Sequence, residues 1–340
     1  MRIARYSFLI LSMAMLVSKP SLAQESSAID VSLGDVSLNK VAFLVADDNG
    51  IYKKYGLNIR QFITARAAAR IRRSGINVPA SFIGSNDREA KAPISIGGGS
   101  PLIVSMTTDA RTTNRVIIAT TDNSARFHII ASKELKDVDD LKGRRLGYSV
   151  FGSVSHLMAL ALLRLKNWSP ENDISLMAEG MAFPALKEGK VDAFIGSEIY
   201  YTMAAKNGAK DLVDLSLYKI PIAGSGVNVE RRWLASNRDV ALRFLKAMIE
   251  SYAVMKRDKA VVRAALIKWY NISDEKQQDG MYANVVRAPR KPYPAVDGIR
   301  LIKELFTYRE LKRHDASYFY ENGFVEQLDK SGFIDGVYGK

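Results

Sequence analysis

At 340 residues, 47% of them apolar, the chain is long enough for two domains with buried cores. It contains no cysteine, which excludes disulfides, thiol catalysis, iron–sulfur clusters and cysteine-ligated zinc. Its 49 Lys and Arg against 36 Asp and Glu give a formal net charge of +13, a balance that would suit nucleic acid, an acidic surface or a small anion.

Arg2 and Arg5 precede an uncharged apolar run over 6–17, broken by Lys19-Pro20, and Ser21-Leu22-Ala23 then offers small residues at both cleavage-determining positions. This is the pattern of a secretory signal, and the run is too short to span a bilayer, which takes about 20 apolar residues. Residues 1–23 are therefore expected to be removed, leaving a soluble protein exported across a bacterial inner membrane. Their loss takes away three cations and no acid, for a mature charge of +10. Export argues against nucleic acid as a partner. With no cysteine to carry a lipid, the chain is not expected to be a lipoprotein, and the expected location is the periplasm.

After a polar stretch ending near Asp35, residues 40–45 are rich enough in branched and aromatic side chains to predict a buried strand. Residues 47–50 turn the chain, 51–55 make a short helix closed by Gly56, and 57–63 predict a strand. Arg66, Arg70 and Arg73 follow at helical steps. They form either a solvated basic face or, through Arg66 nearest the strand end, an arm of a ligand crevice.

Further strands are predicted at 94–96, 116–119, 127–131, 145–148, 174–177 and 192–195, with helices at 156–165 and 182–188. Strand and helix alternating at this spacing predicts an α/β fold with largely parallel sheets. From Ser236 onward the pattern turns helical, over 239–252, 260–270, 274–286 and 295–308, with a less regular tail from Gly323.

Two strand–helix turns stand out. In Gly97-Gly98-Gly99-Ser100-Pro101, glycines permit close backbone approach and Pro101 suits the first helical position. The alternative is a tight turn capped by Ser100. The second turn, Tyr148 to His156 with Gly152, Ser153 and Ser155, has the same design. If the two units face each other, both helix starts would point into one crevice beyond the strand ends and favour an anionic group. No complete nucleotide-binding glycine loop, metal-ligand spacing or nucleophile elbow is present. Of the three histidines, His128 falls in an apolar strand and His314 in a charged run, which leaves His156 as the one at a candidate site.

Residues 46–57, 96–101, 137–143 and 188–194, in that order, resemble the periplasmic substrate-binding proteins of ABC importers. The family is the SsuA/THI5-like one, which handles nitrate, taurine, alkanesulfonates and thiamine-precursor pyrimidines. The resemblance implies a two-lobed type II periplasmic-binding fold with a helical C-terminal third. Lobe one would be 36–125 plus 226–340 and lobe two 126–225, with hinge crossings near 124–128 and 223–227. It also implies lobe closure on ligand, recognition of the closed form by an inner-membrane permease, no cofactor or metal, and a monomer.

The expected ligand-binding set is Asp48, Arg66, Gly99, Ser100, Ser124, Gly152, Ser153, Ser155, His156, Met181 and Glu198, around a small and preferably anionic organic ligand. One departure matters: the Leu-x-x-Gly-x-x-Asp unit common before the glycine turn is replaced by residues 87–93, so ligand identity does not carry over. Two other readings remain open. One is an exported enzyme on this scaffold using His156 or Glu198 as a general base; the other is a ligand-sensing module for a membrane receptor.

Overall fold

Two mixed sheets, each backed by helices, organise the residues described by the computed structural model, which are 28–73, 78–108, 113–178, 183–197, 200–201, 204–205 and 207–339. The expected export segment at 1–23 lies outside them. The first sheet holds β1 (Ile29–Ser32), β2 (Ile59–Thr64), β3 (Ile83–Gly84), β4 (Ile94–Gly98), β5 (Arg115–Thr120) and β11 (Ser225–Glu230), in the order β3-β2-β1-β4-β11-β5. The second holds β6 (Phe127–Ala131), β7 (Arg145–Gly147), β8 (Ser175–Met177), β9 (Ala193–Ser197) and β10 (Lys210–Asp214), in the order β10-β6-β9-β7-β8.

The α/β class read from the sequence stands. The sheets are less uniform than expected. β1 runs parallel to β2 and β4, and β7 to β8 and β9. β11 is antiparallel to both neighbours, as is β6. The cause is the chain path: after β5 the chain leaves to build the second sheet and returns as β11, inserted between β4 and β5. Residues 121–126 and 219–224 are the two crossings, and they lie side by side. The Thr121 amide donates to Ser225 O at 2.7 Å and the Gly224 amide to Asp122 O at 3.2 Å.

The helices are α1 (Val41–Asp48), α2 (Ile51–Lys54), α3 (Ala65–Arg73), α4 (Asn86–Lys91), α5 (Gly99–Thr107), α6 (Val154–Lys166) and α7 (Phe183–Lys187). The C-terminal series is α8 (Arg231–Ser236), α9 (Arg238–Arg257), α10 (Lys259–Tyr270), α11 (Glu275–Val285), α12 (Val296–Leu305), α13 (Arg309–Arg313), α14 (Gly323–Lys330) and α15 (Phe333–Val337).

Three expectations are corrected. Residues 40–45 are not a strand. Lys40 ends a 3-10 turn (Leu38–Lys40) and Val41 begins α1, whose first six residues are all buried, with Phe43 stacked on Phe244 of α9 at 5.9 Å. An apolar run buried on every side carries no periodicity to separate helix from strand. The first strand lies instead in the stretch read as polar, at Ile29–Ser32. The tail after Gly323 forms two helices that place Phe324, Val325, Leu328 and Ile334 in the core, broken at Gly332 with φ +74°.

The first core joins the first sheet to α1, α9, α10 and α14. The second joins the second sheet to α5 and α6 and also takes Ile299 and Ile302 of α12, Leu311 of α13, and Phe319. Helices α12 and α13 therefore belong to the second core, α12 packing on α5 and α6 and α13 on α5, although Val285 and Ala288 before them and Phe324 and Val325 after them lie in the first.

Candidate functional site

A cleft of about 440 Å³ lies between the two sheets, at the carboxyl ends of β2, β4 and β9, with the crossings along its floor. Open α/β sheets present ligand sites at such strand ends. Arg66, two residues past β2 in α3, lines one wall. Among the described residues its guanidinium has no hydrogen bond or ion pair.

The opposite wall is the start of α6, with Ser149, Val150, Ser153, Val154 and Ser155. The hydroxyls there are spent on shaping the turn. Ser153 Oγ accepts from the His156 amide at 3.2 Å and lies 3.0 Å from Ser155 Oγ, which accepts from the Ser149 amide at 2.9 Å. What remains for a ligand is the helix start itself. The first amides of a helix lack intrahelical partners, and the helix dipole makes that end positive.

The other turn is built differently from expectation. Helix α5 begins at Gly99, so Pro101 is its third residue. The Gly99 amide donates to both Ala223 O (2.8 Å) and Gly224 O (2.9 Å), and a Cβ on Gly99 would stand 2.6 Å from Ala223. Ser100 is fully buried and donates to Gly152 O at 2.7 Å. Pro101 has no N–H. This helix start is thus used to hold the second crossing and the α6 turn, and neither Gly99 nor Ser100 lines the cleft.

Gly152 itself has φ +76°, and a Cβ there would lie 2.8 Å from Val104, so the close approach of α5 to the α6 turn requires glycine. Its amide donates to His156 Nδ1 at 3.1 Å, which fixes the neutral tautomer with the proton on Nε2. His156 is 6% exposed and stacks on Tyr148 at 4.3 Å, with Phe151 and Phe306 around it. Burial pushes its pKa down to about 4. It faces this aromatic cluster and does not line the cleft.

Asp48 lies away from the cleft too: it pairs with Lys268 and accepts from Trp269 Nε1 at 2.9 Å, tying α1 to α10. Ser124 sits in the first crossing, bridged to Pro221, its amide donating to Asp122 Oδ1 at 3.3 Å. Met181 and Glu198 fall outside the described residues.

The floor holds three charged residues that sequence reasoning missed. Lys40, 2% exposed, donates from Nζ to Ser225 Oγ at 2.9 Å. Burial lowers its pKa, and Asp35 and Asp122 partly offset this. Burial raises the pKa of Asp122, against the pull of Arg126, whose Nε lies 3.4 Å from Oδ1 without forming a hydrogen bond. Arg126 also donates to Asn284 O. The signal was present as a lysine, after Asn39, at the head of the apolar run 41–46 and an acid–base pair within the first crossing.

Among the described residues the charged side chains lining the cleft balance: Lys40, Arg66 and Arg126 against Asp35, Glu89 and Asp122. The excess positive charge lies elsewhere, with 19 Lys and Arg against 9 Asp and Glu in residues 231–313.

Residues 105–260 match the family model described as "NMT1/THI5 like". The match upholds the resemblance read from the sequence motifs, of which 137–143 and 188–194 fall inside the matched stretch. No curated protein matches the chain. Among solved structures it is similar to the periplasmic nitrate-binding protein NrtA from Synechocystis PCC 6803, with TM-score 0.69, 13% identity, and 89% of this chain and 88% of that one covered. It is also similar to the periplasmic aliphatic sulphonate binding protein SsuA from Escherichia coli, with TM-score 0.60, 16% identity, and coverage of 91% and 88%. The desulfurization enzyme DSZB aligns at TM-score 0.50 and 14% identity, over 89% and 99%. At these identities the shared property is the fold, that of periplasmic binding proteins.

Proposed function

We propose that this chain, which carries an NMT1/THI5-like domain at residues 105–260, is the periplasmic solute-binding component of an ABC importer. It captures a small anionic organic ligand between lobe one (36–125 plus 226–340, to which β1 at 29–32 is added) and lobe two (126–225). The observation that carries this reading is the pairing across one cleft of a guanidinium without a partner among the described residues, Arg66, with the open start of α6. A guanidinium and a helix start both favour an anion, and they come from different sheets, so a ligand touching both is held best when the lobes are together. The ligand set is then Arg66 with the Val154 and Ser155 amides, over the Lys40–Ser225 floor. Gly99, Ser100, Gly152, Ser153 and His156 hold those groups in place.

The test is a melting-shift screen of the purified protein across sulfonates, carboxylates, nitrate and pyrimidines, followed by calorimetry. A bound anion whose affinity falls at least tenfold in Arg66→Ala, the order expected on losing a charge-assisted contact, supports the reading. Catalytic turnover of the bound compound would sink it in favour of the enzyme. His156, one of the two bases that alternative would use, is turned into the aromatic cluster, so His156→Gln is expected to leave ligand stoichiometry intact.

A further inference from the structure

A second pocket, of about 390 Å³, opens on the other side of the second crossing from the cleft. Ile222, Gly224 and Ser225 of that crossing line the cleft, whereas the preceding stretch, Tyr218 to Pro221, lines this pocket together with α6 and α12. Helix α12 forms its far wall because it rests directly on the crossing. A Cβ on Gly298 would fall 1.9 Å from Ala223 N and 2.0 Å from Ile222 C, so only a residue without a side chain fits there.

The lining is apolar at the base and charged at the rim. Leu165, Ile220, Pro221 and Leu301 supply the apolar surface, and Leu165 stays 54% exposed at its edge. Two rim cations are already neutralised, Arg164 by Glu304 at 2.5 Å and Arg300 by Asp297 at 3.0 Å. Lys219 is not: among the described residues its ammonium has no ion pair or hydrogen bond. One uncompensated cation over an aliphatic base, in a pocket of ligand size, matches a molecule with a hydrocarbon body and a single negative end.

We propose that this pocket binds an amphiphilic monoanion, an alkyl chain ending in one carboxylate or sulfonate, at a site separate from the cleft. The proposal does not depend on what the cleft carries. Decanoate is the probe, titrated into the purified protein by calorimetry. One equivalent is expected to bind, and Lys219→Asn should weaken it at least tenfold, since asparagine keeps the left-handed backbone of Lys219 (φ 50°) while removing the charge.

Leu165→Asp, at an exposed position that should not unfold α6, is expected to weaken decanoate similarly, and Arg66→Ala to leave it unchanged. If Arg66→Ala abolishes binding while Lys219→Asn does not, decanoate occupies the cleft and the proposal fails. It also fails if wild type shows no saturable binding below about 1 mM, the weak end of specific affinity.

Discussion

Arg66 and His156 show what a residue's neighbours decide that its sequence position does not. Both lie where a strand gives way to a helix, and both were legible as candidates for that reason. Arg66 lines the cleft with no ion pair among the described residues; His156 is folded under its own turn, accepting the Gly152 amide and stacked on Tyr148. The histidine has a measurable consequence. Its pKa is about 4 when folded and 6.5 in the unfolded chain, so between those values the unfolded state binds more protons. The stability from burying neutral His156 is fully present above pH 6.5 and is lost as pH falls towards 4. The full loss is on the order of 3 kcal/mol. Melting temperature should fall accordingly from pH 7 to pH 4.5, and His156→Gln, which can still accept from Gly152 but does not titrate, should show a visibly shallower fall. Equal slopes would mean that other groups dominate acid sensitivity. Lys40 was illegible for a plainer reason: the apolar residues around it predict a strand, where alternate side chains face opposite sides, and only the helix carries its ammonium to Ser225.

The elements that were read correctly are those whose burial is one-sided. Helices α9 to α12 alternate apolar and charged faces, and all four were legible, although α9 runs five residues beyond its expected end. Helix α1 did not, because every residue from Val41 to Ala46 is buried and the run has no exposed face to betray its period. Strand β1 was missed for the opposite reason: at four residues it is too short to establish a pattern, yet it sits inside the sheet between β2 and β4. The depth of α1 predicts its weight. Phe43→Ala removes a wholly buried ring stacked on Phe244 and is expected to cost about 3–5 kcal/mol in urea denaturation, with ligand affinity unchanged in the folded fraction. Gly152→Ala should behave in the reverse way. It forces a Cβ into Val104 at a left-handed position, at a cost of about 1–3 kcal/mol, and it moves the start of α6, so ligand affinity should fall along with stability. If Gly152→Ala lost stability alone, the α6 start would not be part of the site.

At the scale of the whole molecule, net charge was the most misleading quantity in the sequence. A mature charge of +10 suggests a positive cleft, yet the described charged residues lining the cleft cancel, and the excess resides in residues 231–313. The sequence made the helical character of that third legible. It could not show that α12 and α13 join the second core, because that depends on Gly298 fitting against the second crossing, a contact between segments far apart in the chain. The charge distribution separates two ways of holding an anion. A cleft that works through the field of the whole protein would lose affinity steeply as salt screens distant charges, since the Debye length falls to about 8–10 Å near physiological ionic strength. A charge-balanced cleft that works through Arg66 and the α6 start acts at hydrogen-bond range, where salt screens little. The equilibrium affinity of the anion found by screening should therefore change by less than about threefold between 20 and 200 mM salt. A tenfold or greater loss of equilibrium affinity over the same range would show that the field, and not the two local groups, holds the ligand.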